Sequence, residues 1–175
     1  MRFRILAVLV GVAFLATLSL PAFSQDEKAE AKAEAKYEYI GAKKCIMCHK
    51  KDNTGPTWET STHATAWDKL TDEQKKDPIF IKYYTTGKDD KGELLTGVQC
   101  EACHGAGSEY KSMKIMKDRE ASIAAGLVIP TEKTCMGCHG AEDAPAAVKA
   151  VAKDFNYEKA VASGVHAMPP AEEGK

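Results

Sequence analysis

The chain has 175 residues, of which 44% are hydrophobic and 28% charged, and its formal net charge is −1. This length fits one domain of ordinary size with short accessory segments. The near balance of charges, without a basic patch or an interleaving of aromatic with basic residues, argues against nucleic acid as a partner.

The first 24 residues have the pattern of a secretion signal peptide. Arg2 and Arg4 precede an apolar run over residues 5–20, and the small residues that follow predict cleavage after Ser24. The run is shorter than the roughly 20 residues of a spanning helix, so a retained membrane anchor is the less favoured alternative. Cleavage removes both arginines and no acidic residue, which leaves a mature chain of net charge −3 in the periplasm or further out.

The mature chain begins with a charged segment that has no apolar stripe to bury. Residues 25–36 read QDEKAEAKAEAK and predict a solvated tether. The folded domain is expected to span residues 37–175.

Cys-x-x-Cys-His occurs three times in this domain and uses all six cysteines of the chain. The motifs are Cys45-Ile-Met-Cys48-His49, Cys100-Glu-Ala-Cys103-His104 and Cys135-Met-Gly-Cys138-His139. Two thiols at this spacing can each add to one vinyl group of a haem, and the following histidine then binds the iron as proximal ligand. Disulfides or structural zinc would not explain a histidine after every second cysteine. The sequence therefore predicts three covalently attached c-type haems.

The remaining sequence predicts a mainly α fold of short helices and loops around three packed haems, with a small β-hairpin. Helical spacing runs from Thr57 to Leu70, and a capping box at Thr71-Asp-Glu-Gln74 opens a turn that Pro78 is expected to end. Residues 79–84 and 93–96 flank a Gly-containing turn and predict the hairpin. Further helices are expected to begin at Asp118, closed by Gly126, and at Asn156, closed by Gly164.

Several segments together resemble the multihaem cytochrome c-554 family. They are Tyr39-Ile-Gly-Ala-Lys-Lys-Cys-Ile-Met-Cys-His49, Trp58-Glu-Thr-Ser-Thr-His63-Ala, Thr85-Thr-Gly87, Gly97-Val-Gln-Cys-Glu-Ala-Cys-His-Gly105-Ala-Gly107 and Val165-His166-Ala-Met-Pro169. The resemblance implies a mostly helical electron carrier with closely packed haems. Four-haem members carry a further motif just before Thr-Thr-Gly, where this chain has Phe80-Ile-Lys-Tyr83-Tyr84. It therefore resembles a member without the second haem, the one whose axial position is open in the family.

Three haems offer six axial positions, and the chain has five histidines. His49, His104 and His139 are the proximal ligands by their place in the motifs. The resemblance implies that His63 and His166 are distal ligands, although chain reach does not decide which iron each one serves. For the remaining iron, Met113, Met116 and Met168 are the methionines outside the motifs. They either pack against porphyrin or supply one sulfur ligand.

The predicted function is electron transfer by a non-enzymatic, periplasmic or otherwise extracytoplasmic cytochrome that meets redox partner proteins. Haem iron moves one electron at a time, and its axial ligands, burial and hydrogen bonds set its potential. One alternative is a haem enzyme or sensor that binds nitric oxide, hydroxylamine or peroxide at an open iron. Another is a subunit of a larger cytochrome assembly, in which a neighbouring chain completes the ligand set.

Overall fold

The computed structural model describes residues 37–163, and these all fall within the unit Ala35–Lys175. The predicted signal peptide, the tether, His166 and Met168 lie outside the described residues. The α-helices of the described part are α1 Ala42–Ile46, α2 Thr54–Glu59, α3 Thr62–Thr65, α4 Pro78–Tyr84, α5 Cys100–His104, α6 Met113–Met116, α7 Arg119–Ala124, α8 Glu132–His139, α9 Ala146–Ala150 and α10 Tyr157–Ser163. Short 3-10 turns cover Trp67–Lys69, Gln74–Lys76 and Val151–Asp154. The prediction of a mainly α fold is confirmed.

The predicted hairpin is present, but its first strand begins later than expected. Strand β1 (Thr85–Lys88) pairs antiparallel with β2 (Leu94–Thr96), and Thr85 lies opposite Thr96. Residues 79–84, expected to be a strand, instead belong to α4. The expectation that Pro78 ends the turn opened by the Thr71–Gln74 box is confirmed, because the 3-10 turn stops at Lys76. Pro78 also begins α4, which Asp77 caps by accepting a hydrogen bond from the Ile79 N–H at 2.8 Å. Proline is favoured at the first helical position, where its missing N–H costs nothing.

Side-chain caps define most of the other helix boundaries. The helical pattern from Thr57 to Leu70 is divided because α2 ends at Glu59 and Ser61 caps α3, accepting from the Ala64 N–H at 3.2 Å. The capping box at Thr71 and Gln74 is confirmed in both directions, with bonds of 2.9 and 3.3 Å.

The two later helix starts are also confirmed. Asp118 accepts from the Ala121 N–H at 3.0 Å, and Asn156 accepts from the Lys159 N–H at 2.8 Å. Gly126 follows α7 with a positive φ of 100°, as its predicted role at the helix end requires.

The protein part of the core is thin. Within residues 37–163 the buried hydrophobic residues are Ala42, Tyr83, Tyr110 and Ala144, and the buried polar residues are Thr85, Thr86, Glu101 and Ser122. A domain of this length ordinarily buries a much larger apolar set. The shortage fits a fold whose interior is completed by porphyrin. No helix within the described residues is long and apolar enough to cross a membrane.

Candidate haem-binding site

Each Cys-x-x-Cys-His motif lies on one turn of helix. The first spans the end of α1 and the turn after it, where the His49 N–H bonds to the Cys45 carbonyl at 3.0 Å. The second is α5 itself, and the third forms the C-terminal half of α8. Residues three apart on a helix share a face, so each pair of thiols points to the same side. This is the arrangement that attachment to two neighbouring vinyl groups requires.

All three motif histidines are held by a hydrogen bond at Nδ1. The ring nitrogen lies 2.8 Å from Asp52 Oδ2 in His49, 3.1 Å from the Val128 carbonyl in His104, and 2.8 Å from the Val148 carbonyl in His139. A carbonyl oxygen can only accept, so in His104 and His139 Nδ1 carries the proton and Nε2 carries the lone pair. This tautomer suits an imidazole that binds iron through Nε2. The hydrogen bond at Nδ1 fixes the orientation of the ring. The residues present therefore fit a haem at each motif.

Asp52, Val128 and Val148 were not identified from the sequence. Two of them act through backbone carbonyls, which leave no side-chain signal. Asp52 carries a weak signal, since it is an acid three residues after a motif histidine. Burial raises the pKa of Asp52, but hydrogen bonds from His49 and Thr54 outweigh it, and the pKa ends below its ordinary value.

The six cysteines are free thiols, and the three motifs converge through them. The thiol of Cys45 in the first motif lies near that of Cys100 in the second, and the interaction with Cys100 together with burial raises the pKa of Cys45. Burial and the neighbouring Cys135 and Cys138 raise the pKa of the Cys103 thiol to about 11. The attachment points of adjacent motifs are therefore close enough for haems bound there to neighbour one another.

His63 faces the proximal histidine of the third motif. The ring centroids of His63 and His139 are 6.0 Å apart, with 68° between the ring planes. A metal–imidazole bond is about 2 Å long and the ring centre lies about another 1 Å beyond it, so imidazoles on opposite sides of one ion have centroids roughly 6 Å apart. The separation matches two axial ligands of one iron. Burial, and then the nearby His139, lower the pKa of His63, which favours the neutral, ligating form.

A close backbone approach positions His63. The Val98 N–H donates to the His63 carbonyl at 3.1 Å, and the indole N–H of Trp58 donates to the Val98 carbonyl at 3.1 Å. Gly97 has a positive φ of 80°, and a Cβ there would lie 2.7 Å from the Ala64 carbonyl oxygen. Only glycine fits at this contact. The chain that leads into the second motif thus holds α3 in place.

Glu101, inside the second motif, was also missed by sequence reasoning. Its side chain is 1% exposed, and its carboxylate accepts from the N–H groups of Ile40 at 2.9 Å, Gly41 at 2.7 Å and Gly107 at 2.7 Å. Nearby, Gln99 Oε1 accepts from the Ala42 N–H at 2.6 Å. A variable position of a haem motif gives no sequence signal that its side chain is buried.

The two described candidate methionines differ in environment. Met113 is 65% exposed, whereas the Met116 sulfur lies 3.9 Å from Ser122 Oγ, whose hydroxyl donates to the Ile115 carbonyl at 2.9 Å. Both lie on the short helix α6.

The segment that replaces the fourth motif of the four-haem relatives is tied to the third motif. On α4, Tyr83 donates a short hydrogen bond from its hydroxyl to Asp143, and Lys82 forms an ion pair with the same carboxylate at 2.6 Å. Asp143 follows His139 by four residues, so α4 is connected to the loop after α8.

The fold and the site together define a multihaem c-type cytochrome domain. A sequence model of the family "Outer membrane cytochrome MtrC/MtrF-like, domains II/IV" matches residues 25–168, and the chain belongs to this family. Cytochrome c-554 of Nitrosomonas europaea is 30% identical over 145 residues, which cover 61% of this chain and 59% of the relative. The chain thus spans about three-fifths of the length of that protein. No solved structure matches. The resemblance to multihaem cytochromes c is confirmed.

Proposed function

We propose that this protein transfers electrons through three covalently attached c-type haems outside the cytoplasm. The observation that carries the proposal is the common geometry of the three motifs, each with paired thiols on one helical turn and a proximal imidazole fixed at Nδ1. The thin protein core and the convergence of the thiols support haems that lie close together. A signal peptide over residues 1–24 and a domain over 37–175 accord with attachment of haem after export.

In this proposal the chain's own residues bind and tune the haems. Cys45, Cys48, Cys100, Cys103, Cys135 and Cys138 form the thioether links, and His49, His104 and His139 are the proximal ligands. Each haem supplies an iron that cycles between +2 and +3. The carbonyls of Val128 and Val148 and the carboxylate of Asp52 hold the imidazole rings, which raises their basicity towards iron.

The 6.0 Å separation of the His63 and His139 rings supports His63 as the distal ligand of the iron of the third motif. His166 is then the distal ligand of one of the other two irons, and one axial position is left without a histidine of this chain. Two nitrogen donors favour ferric iron, so the bis-histidine haems should have the lower potentials, and a haem with a sulfur ligand a higher one.

The mass and spectrum of the purified holoprotein test this function. The intact mass should exceed that of the cleaved polypeptide by three haem masses, because thioether formation loses no atoms. A redox titration should reduce all three haems reversibly. Release of haem into acidified organic solvent, or the presence of zinc in place of iron, would disprove the proposal.

A haem enzyme or small-ligand sensor is the second candidate, and one observation favours it. Five histidines cannot fill six axial positions. Carbon monoxide binding to the reduced protein, with a high-spin ferric haem, would support this candidate. Three low-spin haems that do not bind carbon monoxide would leave electron transfer as the remaining candidate function.

A further inference from the structure

A cluster of lysines surrounds the first haem motif. Lys43 and Lys44 lie on α1, and Lys50 and Lys51 follow His49 directly. All four are exposed, and none forms an ion pair with another residue in the range 37–163. We call these four lysines the basic patch. The expectation that the chain has no basic patch is wrong at this point, because the balanced total charge hides a local excess.

The patch has an apolar centre. Met47 lies four positions after Lys43 and three after Lys44, so it shares their helix face, and it is 81% exposed. Cys48, an attachment point of the first haem, is exposed beside it. The opposite face is directed inward, where Ala42 is buried and Ile46 lies against Gly55. An exposed apolar side chain within a charged rim is the composition of a transient protein interface.

The second and third motifs are not flanked by a comparable group of lysines. Within four residues of the third motif in sequence, the exposed charged residues are Glu132, Lys133, Glu142 and Asp143, and within five residues of the second there is Glu109. The exposed Lys82 also lies near Cys138 of the third motif, where it pairs with Asp143. Asp52, the exposed acid that follows the basic patch in sequence, is bonded to His49 at 2.8 Å, and the Glu101 carboxylate next to Gly41 is buried. The first motif is therefore the one that four exposed lysines flank in sequence.

We propose that the basic patch is the docking surface for the acidic face of a redox partner protein, which exchanges electrons with the haem of the first motif. This inference rests on the proposed electron-transfer function. Charge complementarity at a site of encounter acts mainly on the association rate and is weakened by salt.

The test compares two variants with the same loss of charge. The patch variant replaces four lysines by Gln, namely Lys43, Lys44, Lys50 and Lys51. The control variant replaces four other exposed lysines by Gln, namely Lys69, Lys88, Lys91 and Lys153. The probe is a reduced plant-type ferredoxin, which is acidic and a low-potential donor. At low salt its second-order rate with the patch variant should fall about tenfold, and with the control much less, and the difference should vanish at high salt.

Other outcomes are decisive against the proposal. Equal losses in both variants would show an effect of total charge only. Patch-dependent binding to phosphatidylglycerol vesicles, with no effect on the ferredoxin rate, would assign the surface to a membrane, and patch-dependent dimerisation would assign it to a second copy. Reduced methyl viologen, a small low-potential donor, distinguishes failure of docking from failure of electron transfer. If it reduces every variant but the ferredoxin rate ignores the patch, the docking proposal alone fails; if it reduces none, electron transfer fails as well.

A second inference follows independently from Glu101. Its buried carboxylate is part of the second motif, yet two of the N–H groups that it accepts from, those of Ile40 and Gly41, open the helix of the first motif. Hydrogen bonds to a buried carboxylate are charge-assisted and strong, and their loss leaves backbone donors unsatisfied. The carboxylate therefore sets the position of α1 relative to α5.

We propose that Glu101 is a positioning residue that also lowers the potentials of the haems on the first and second motifs. A buried negative charge beside them stabilises ferric over ferrous iron, because the interior screens it poorly. The haem of the third motif, held by a different part of the chain, is less affected. This inference too rests on the presence of the three haems.

Glu101→Gln removes the charge and keeps the shape. We expect two midpoint potentials to rise, the third to move much less, and the spectrum to stay low-spin. Glu101→Asp, which keeps the charge, should leave the potentials near those of the wild type even where the melting temperature falls.

The control is Gly107→Ala, whose added Cβ would lie 3.0 Å from Glu101 Oε1 and disturbs the site without removing charge. It should lower stability and leave the potentials low. Equal shifts of all three potentials in Glu101→Gln, no shift at all, or the same shift in Gly107→Ala would each reduce Glu101 to a purely structural role. If Glu101→Gln does not fold, the Glu101→Asp and Gly107→Ala titrations still decide the matter, because a changed potential in both contradicts the proposal.

Discussion

The first two haem motifs and the third are held by different kinds of contact. Around α1 and α5 the bonds are buried, with the Glu101 carboxylate at their centre. The helix of the third motif, α8, has no buried residue. Bonds nearer the surface hold its surroundings, among them the Tyr157 hydroxyl on the Pro130 carbonyl at 2.9 Å and the Lys82–Asp143 ion pair.

In the region of α1 and α5, groups of the polypeptide hold the helices together. In the region of α8, the proposed haem would have to do so. Exposed hydrogen bonds and ion pairs add little stability each, because water competes for the same groups. Under the proposed function, the region of α8 therefore depends on a third haem bound by His139 and His63, whereas α1 and α5 are joined by protein groups alone. The following predictions test this contrast, beginning with the largest effect.

Removal of the thiols of one motif should act differently on the two regions. Cys135→Ala with Cys138→Ala should lower the mass increment from three haems to two and abolish amide-exchange protection over residues 131–163 alone. Cys100→Ala with Cys103→Ala should also leave two haems, but it should weaken protection across the domain, because that haem lies against the buried cluster. Intact mass and hydrogen exchange measure both effects. Equal protection patterns in the two variants would contradict the contrast.

Replacement of His63 should affect the third haem only. In His63→Ala one low-spin haem should become high-spin or take a substitute ligand, and its potential should rise, because a nitrogen donor that favours ferric iron is lost. Electron paramagnetic resonance and a redox titration measure the change. Thr62→Ala, beside it on α3, is the control and should leave the spectrum unchanged. His166→Ala should convert a different haem, and loss of the same haem in both variants would overturn the assignment of His63.

The contact between α4 and the loop after α8 should make stability depend on pH. The ion pair with Lys82 and the hydrogen bond from Tyr83 lower the pKa of Asp143. Its contribution is therefore complete above the unfolded pKa of about 3.9 and is lost as the pH falls further. Asp143 raises the pKa of Tyr83 through the same bond, so that contribution is lost as the pH rises beyond about 10.

Asp143→Asn should lower the melting temperature by a few degrees at neutral pH and remove both dependences. Thermal unfolding between pH 3 and 11 gives the comparison. Asp90→Asn, in the exposed turn between β1 and β2, is the matched control. An unchanged pH profile in Asp143→Asn would show that this contact does not hold α8.

Local features of the sequence predicted the structure well where a short-range signal exists. The caps at Asp118 and Asn156, the box at Thr71 and the hairpin near Gly87 follow from neighbouring residues. The strand expected at residues 79–84 failed because the capping pair Asp77-Pro78 outweighs the β propensity of the residues that follow. The pairing of His63 with His139 and the role of Glu101 depend on contacts between residues distant in sequence, which no local pattern encodes.

The smallest expected effect concerns the iron without a histidine. Met113 is 65% exposed, and on the same helix the Met116 sulfur lies 3.9 Å from Ser122 Oγ. If one of these two methionines is the sulfur ligand, the protein should show a weak ferric band at about 695 nm and one haem of higher potential. The band should vanish in Met113→Ala or in Met116→Ala and persist in the other variant, which is its matched control. Its absence from the wild type, together with carbon monoxide binding, would show an open iron and shift the balance towards the enzyme or sensor. Persistence of the band in both variants would exclude α6 as the source of the sulfur.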